Sequence, residues 1–460
     1  MGKNFDLIIV GAGPAGIFAA LEITKTTDLN VLLLEKGKSV EQRQCLIGDD
    51  SPFCRECRPC SIMSGWGGAG AFSDGKLTLT TEFGGWLNNY IGKDKLQKMI
   101  DYVDQIYVHY GAPDRLFGQD NEIVANLQSR VSRAGMKLIP ACIRHMGTEN
   151  TLHVLQNMRI FLDKKIEIHT GETVQDILVK NGAVTGVRTA ANTYYAPRVI
   201  LAPGREGAQW FTEQASRLGI ILNNNQVDIG VRVEVPAVTM QEFTDNIWEP
   251  KIIYNTRIFD DMVRTFCVNP NGHVVMENTN GIITVNGHAF ANSKSGNTNF
   301  AVLVSQEFTE PFNKPVIYGR YIASLANMLS GGIILQRLGD LKRGRRSTTV
   351  RIERGMLEPT LKGAVPGDLS LVLPHRYLVG ITEFLEALDN AMPGVASDHT
   401  LLYGIETKFY SARPQLNNHL KTDIDGLWAV GDGAGVTRGL IQASVSGVIA
   451  ARDIVENPRS

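Results

Sequence analysis

The run DLIIVGAGPAGIFAALEITK, followed by NVLLLEKG, constrains what this chain can fold into more than any other stretch. Leu7 to Val10 are four consecutive apolar residues, suited to a strand buried on both faces. Gly11, Gly13 and Gly16 follow as GxGxxG, leading into the helical pattern IFAALEITK, and Glu35 closes a second apolar strand about 20 residues on. This is a βαβ unit with the dinucleotide fingerprint. Gly11 permits the tight turn, Gly13 lets backbone approach a pyrophosphate, and Gly16 allows close helix packing, with Pro14 and Ala15 completing the turn. The helix N-terminus offers N–H donors and a positive dipole to phosphate. Glu35, with Lys36 beside it, suits ribose hydroxyls and disfavours a 2′-phosphate. A lone GxGxxG would equally fit a glycine turn in an ordinary α/β protein; strand, helix, second strand and acid together point to a nucleotide. Glycines and a proline also divide the apolar run where strand becomes helix, so it reads as buried βα structure and not as a membrane span.

A chain of 460 residues implies two domains. With 43% hydrophobic and 20% charged residues and a net charge of −1, no whole-molecule field draws in nucleic acid or an anionic membrane. The expected partner is a small-molecule substrate, with an electron-transfer protein as the other candidate. The N-terminus lacks the basic and long apolar regions of a secretory signal, so the mature chain is expected to begin here and to be cytoplasmic.

Further along, residues 95–135 read as helical, and strands alternate around KNGA at residues 180–183 as an antiparallel meander. Strands and helices mix over 220–395, and the last sixty residues return to strand, glycine turn and helix. Two later segments join the first glycine motif: RVILAPG, ending at Gly204, and GLWAVGDGAG, which holds Gly431 and Asp432. Together the three motifs resemble the glutathione-reductase-like flavoprotein superfamily. That resemblance implies FAD as cofactor, Asp432 on its ribityl chain, backbone of Val174 against the adenine, and Gly439 and Leu440 opening a helix directed at the flavin. No second GxGxxG with an acid follows, so a dedicated NAD(P)H domain is not expected and NAD(P)H as donor stays open. The stretches GGAGAFSDGKLT, VDIGVRVEVP, QRLGDLKRGRRST and GIETKFYS resemble a family of FAD-dependent dehydrogenases whose name specifies no substrate.

The expected fold class is therefore α/β: a split Rossmann-like FAD-binding domain (1–95, 151–215 and 396–460), a helical insertion (96–150), and an interleaved mixed α/β substrate domain (216–395). Four of the six cysteines, Cys45, Cys54, Cys57 and Cys60, fall between the ribose-binding acid and the glycine-rich stretch. Their Cx8CxxCxxC spacing is compatible with an iron–sulfur cluster or a zinc site, with a flavin-coupled dithiol, or with a plain loop of reduced thiols. Candidate catalytic groups are Lys76 with Asp74, His145, Cys267 and Arg438, the last as a bidentate partner for a substrate carboxylate. The expected function is an FAD-dependent oxidoreductase. A flavoprotein redox sensor, marked by absent turnover, and a tRNA-modifying flavoprotein, marked by salt-dependent RNA retention, are the other readings.

Overall fold

The computed structural model describes residues 3–45, 57–223, 225–279, 281–290, 293–306, 308, 311, 314–408 and 411–457. The chain forms two compact units, one from 1–115, 144–225 and 411–460, the other from 116–143 and 226–410. Residues 96–115 and 144–150 thus belong to the first unit, and 116–143 to the second.

The first unit is built on a five-stranded parallel sheet. Its strands are β1 (Leu7–Val10), β2 (Val31–Glu35), β3 (Glu167–Thr170), β4 (Val199–Leu201) and β5 (Leu427–Ala429), and they lie in the order β3-β2-β1-β4-β5. Every residue of β1, β2, β4 and β5 is buried, which is why these strands read as apolar runs without alternation. Helix α1 (Pro14–Thr26) packs against α2 (Leu440–Glu456). Their closeness depends on Gly447, where a Cβ would stand 1.9 Å from the Ala15 carbonyl oxygen. A four-stranded sheet beside this core contains the meander: Val174–Lys180 and Ala183–Thr189 pair antiparallel across Asn181 and Gly182, both at positive φ. Asn-Gly suits such a hairpin because neither residue resists the left-handed region strongly.

The second unit carries an eight-stranded sheet. In spatial order its strands are Val365–Pro366, Ile334–Arg337, Leu401–Lys408, Val227–Pro236, Asn297–Gln306, Met262–Asn269, Lys251–Asn255 and Lys137–Ile139. The central strand, VDIGVRVEVP, alternates strictly. Val227, Ile229, Val231, Val233 and Val235 enter one apolar cluster with residues of the helices Asn121–Arg133, Ala237–Ile247, Pro315–Ser330 and His375–Ala391. Period-2 alternation ordinarily places the polar set in water. Here Asp228, Arg232 and Glu234 are also fully buried.

Burial of that polar face is sustained by pairing. Arg232 donates to Glu406 through Nε and Nη2, both at 2.7 Å, and through Nη1 to the Cys267 carbonyl at 2.7 Å. Lys408 adds a second cation to Glu406 at 2.9 Å, and Asn286, from the hairpin of His273–Thr279 and Ile282–His288, accepts from Arg232 at 3.1 Å. Removing one member strands the other in a medium that solvates charge poorly. Glu406→Leu is expected to destabilise the protein by about 3–5 kcal/mol in urea unfolding, and the Arg232→Met/Glu406→Leu pair to recover most of that loss.

Candidate functional site

Register brings the three glycine motifs to one edge. Val10 pairs with Leu34 on one side and Leu201 on the other, and Leu201 pairs with Ala429. The chain therefore leaves β1, β2, β4 and β5 at one level, placing Gly11, Glu35, Gly204 and Gly431 along the carboxyl edge of the sheet. In a sheet ordered β3-β2-β1-β4-β5 the connections diverge between β1 and β4, and the crevice left there is where such sheets bind ligands.

Each element of the turn has a visible cause. Gly11 sits at φ +105°, and a Cβ there would lie 2.1 Å from the Ala202 carbonyl oxygen. A Cβ on Gly16 would lie 1.9 Å from the Gly11 carbonyl oxygen. Gly13 differs, because nothing lies within 4 Å of the place a Cβ would take, and its backbone has the ordinary extended φ of −76°. Its backbone borders open space at the start of α1, where the first N–H groups have no intrahelical acceptor.

Glu35 is buried and holds three backbone N–H groups: Ala12 on Oε2 at 2.8 Å, and Gly37 and Gly65 on Oε1 at 2.8 and 2.9 Å. A carboxylate accepts about four hydrogen bonds, so one direction is left for a further donor. Lys36 pairs with Glu206 at 3.4 Å. Val174 is buried two residues beyond Glu172, whose N–H meets the Glu35 carbonyl at 3.0 Å.

At the other side of the crevice the turn Asp432–Ala434 packs on Gly204, where a Cβ on Gly433 would stand 2.0 Å from the Gly204 carbonyl oxygen. Asp432 accepts from Thr437 Oγ1 at 2.7 Å and from the Gly439 N–H at 3.2 Å, which curls residues 433–439 back to the start of α2. Burial raises the Asp432 carboxyl above its ordinary value of 3.8, opposed by the Thr437 hydrogen bond and the charge of Arg205. Gly439, at φ +106° with open space beside it, precedes α2, and Leu440 lies over Gly70. An open glycine cradle, a carboxylate with one acceptor left and a second carboxylate across the crevice fit a dinucleotide such as FAD.

Other candidates gather nearby in the same unit. Lys76 Nζ is 3.2 Å from Asp74 Oδ2, both side chains about nine-tenths buried. Their segment is tied to the next residues of the His145 strand by Met146 N–H to Gly75 O and Gly147 N–H to Asp74 O. Burial lowers the His145 pKa below 6.5, with Asp74 opposing and Lys76 reinforcing the shift. Lys76, Asp74 and His145 are thus one electrostatic cluster. Arg438 donates its backbone N–H to Gly84 O at 2.7 Å and lays its guanidinium over Trp86. Cys267 belongs to the second unit, on a bulge at φ +48°, with its N–H on Glu249 at 2.8 Å.

Of the four clustered cysteines, Cys45, Cys57 and Cys60 are free thiols and Cys54 lies outside the described residues. Among the described residues no group of three or more His, Cys, Asp or Glu side chains could hold a metal ion. Arg43 is one of the groups that hold residues 61–72 in place. It donates to the carbonyls of Ser61, Ile62 and Trp66 at 2.8, 2.6 and 2.6 Å and stacks on Phe72. Burial pulls its pKa down to about 10, opposed by Glu35, Cys60 and Glu206. A lone arginine two residues before a cysteine carries no sequence signal for this role.

A family model described as "FAD-dependent protein, C-terminal domain-like" matches residues 226–409. FAD is the cofactor this match supports. A protein of Clostridium beijerinckii, described as uncharacterized, is 26% identical over 476 residues, covering 98% of this chain and 80% of the relative. Among solved structures, an L-proline dehydrogenase from P. horikoshii aligns at a TM-score of 0.42 and 10% identity, covering 100% of this chain and 95% of the other. A glycine oxidase from Geobacillus kaustophilus aligns at a TM-score of 0.40 and 14% identity, covering 99% and 95%. Likenesses at that level do not bear on chemistry. Among the described residues no helix is long and apolar enough to cross a membrane.

The Asp432 shift has a sign that can be checked. A carboxyl whose folded pKa is raised binds its proton more tightly in the folded than in the unfolded chain, so its contribution to stability is lost as pH rises through the raised value. In FAD-free protein Asp432→Asn is expected to unfold at higher temperature than wild type at pH 7. The gap should shrink as pH falls towards the ordinary carboxylate range, where the wild-type carboxyl increasingly holds its proton.

Proposed function

We propose that this chain is an FAD-dependent oxidoreductase, a dehydrogenase or reductase acting on a small molecule. The observation that carries the proposal is the convergence of Gly11–Gly16, Glu35, Gly204 and Gly431–Asp432 on one edge of a sheet ordered β3-β2-β1-β4-β5. The likeness of the three glycine motifs to the glutathione-reductase-like superfamily supports it.

FAD, when bound, supplies a reversible two-electron centre. The Gly11–Gly16 turn and the N-terminus of α1 hold its diphosphate, Glu35 a ribose hydroxyl, Val174 the adenine, and Asp432 the ribityl chain. The start of α2 at Gly439 and Leu440 favours negative charge placed before it. His145, kept neutral at pH 7 by burial, gives or takes one proton. Lys76, with Asp74 as its counter-charge, holds a cation beside it. Arg438 orients substrate. Cys45, Cys54, Cys57 and Cys60 form the second part of the proposal, a metal or redox site.

Protein purified without oxygen and assayed for FAD, iron, zinc and acid-labile sulfide tests both parts. About one FAD per chain is expected, and folded protein that neither retains nor takes up FAD would sink the first part. Iron with sulfide assigns the four thiols to a cluster and zinc alone to a structural site. Neither metal removes the metal reading and leaves a dithiol or a loop, which Cys57→Ser and Cys60→Ser separate. Gly13→Val puts a side chain into the open cradle at a φ any residue adopts. It should reduce FAD retention at least tenfold while leaving circular dichroism unchanged.

A further inference from the structure

Residues 83–86 run alongside 436–438, with the Trp86 N–H on Val436 O at 3.0 Å and the Arg438 N–H on Gly84 O at 2.7 Å. The pairing carries this segment past the first turn of α2. Gln442, the third residue of that helix, extends it by donating from Nε2 to the Phe83 carbonyl at 3.0 Å. A carbonyl oxygen only accepts, so the bond fixes which end of the amide is which, with Nε2 on Phe83 and Oε1 turned away from it.

That oxygen is the unusual atom. Gln442 is 1% exposed, and among the described residues its Oε1 meets no hydrogen-bond donor. The amide is seated against two glycines: a Cβ on Gly84 would stand 2.9 Å from Nε2, and one on Gly85 3.0 Å from Oε1. A buried acceptor without a donor costs about 1–3 kcal/mol. A donor from outside the chain recovers that cost.

The chemistry of the donor follows from what stands beside it. The Gly439 N–H is held by Asp432, while the first N–H groups of α2 itself have no intrahelical acceptor. One helical turn therefore presents backbone donors and, from Gln442, one neutral acceptor. The complementary group carries a carbonyl oxygen and an N–H side by side on a rigid edge. An imide is such a group, and the flavin ring has one, with C2=O next to N3–H. N3–H is the only N–H of the oxidised ring and is kept on reduction, so the same acceptor serves both states. A carboxylate at this place would instead oppose the negative charge that reduction brings to the ring.

We propose that Gln442 binds the flavin ring of FAD, its Oε1 accepting the hydrogen bond of the imide N3–H. The inference rests on the FAD-oxidoreductase reading and deepens it, by assigning a side chain to the ring where that reading names only the start of α2. Phe83 is the positioning residue, since its carbonyl orients the amide.

Replacing the N3 proton supplies the test. FAD-free full-length chain is titrated with FAD and with 3-methyl-FAD, which carries a methyl group in place of that proton, and binding is read from flavin fluorescence and the visible spectrum. Wild type should bind FAD at least about fivefold more tightly than 3-methyl-FAD. Gln442→Met should bind FAD about three- to tenfold more weakly than wild type, and should bind the two cofactors within about twofold of each other. Loss of the bond to Phe83 alone would weaken both cofactors equally and leave the wild-type preference in place, so an unchanged preference in the variant overturns the proposal. A wild type that does not distinguish the two cofactors overturns it as well. Gln442→Ala serves if the methionine variant fails to fold or to bind. Wild-type protein that binds neither cofactor would instead defeat the reading on which the inference rests.

Discussion

Glu35 is the interaction on which the site depends. Its carboxylate ties three N–H groups from three separate segments: Ala12 in the glycine turn, Gly37 just beyond β2, and Gly65 where the chain returns after the cysteine region. A hydrogen bond to a charged group is worth about 1.5–3 kcal/mol, and a buried carboxylate without partners is far more costly than one with them. The glycine turn after β1, the end of β2 and the start of the glycine-rich stretch at Gly65 are therefore held to one another. Gly67 N–H to Ala12 O at 2.7 Å continues that attachment. Arg43 secures its far side through three carbonyls.

The second unit solves a different problem with similar means. Its sheet buries one apolar and one charged face, and the charged face is tolerable because Arg232, Glu406, Lys408 and Asn286 satisfy one another. Even the basic run at 342–354 is partly drawn into structure, with Arg345 on Asp340 at 2.8 Å and Arg343 on Asp398 at 2.6 Å. A charge run in sequence says nothing about such partners, which lie on other elements.

Local signals were legible where the physics is local. The βαβ unit, the Asn-Gly hairpin and the helix after Gly439 follow from apolar periodicity and from glycine where φ is positive, both properties of contiguous residues. The four-cysteine spacing was equally conspicuous, yet three of its members are free thiols in no described metal group, because spacing fixes reach and not direction. VDIGVRVEVP shows the limit most clearly. Its alternation predicts a strand with two faces and cannot say that both are buried, which is decided by what other chain segments cover them.

The amino-acid sequence by itself determined the parallel βαβ core, the three glycine motifs and the acid at Glu35, since each needs only near neighbours and backbone sterics. Only the tertiary structure decided that those motifs meet at one edge, that Lys76, Asp74 and His145 share a field, and that Arg413 and Arg438 share an indole. Trp86 and Arg413 are separated by more than three hundred residues of chain, and no local pattern marks either. Backbone pairing between residues 83–86 and 436–438 places Trp86, and the strand Arg413–Pro414, paired with Leu222–Asn223, brings Arg413 to it.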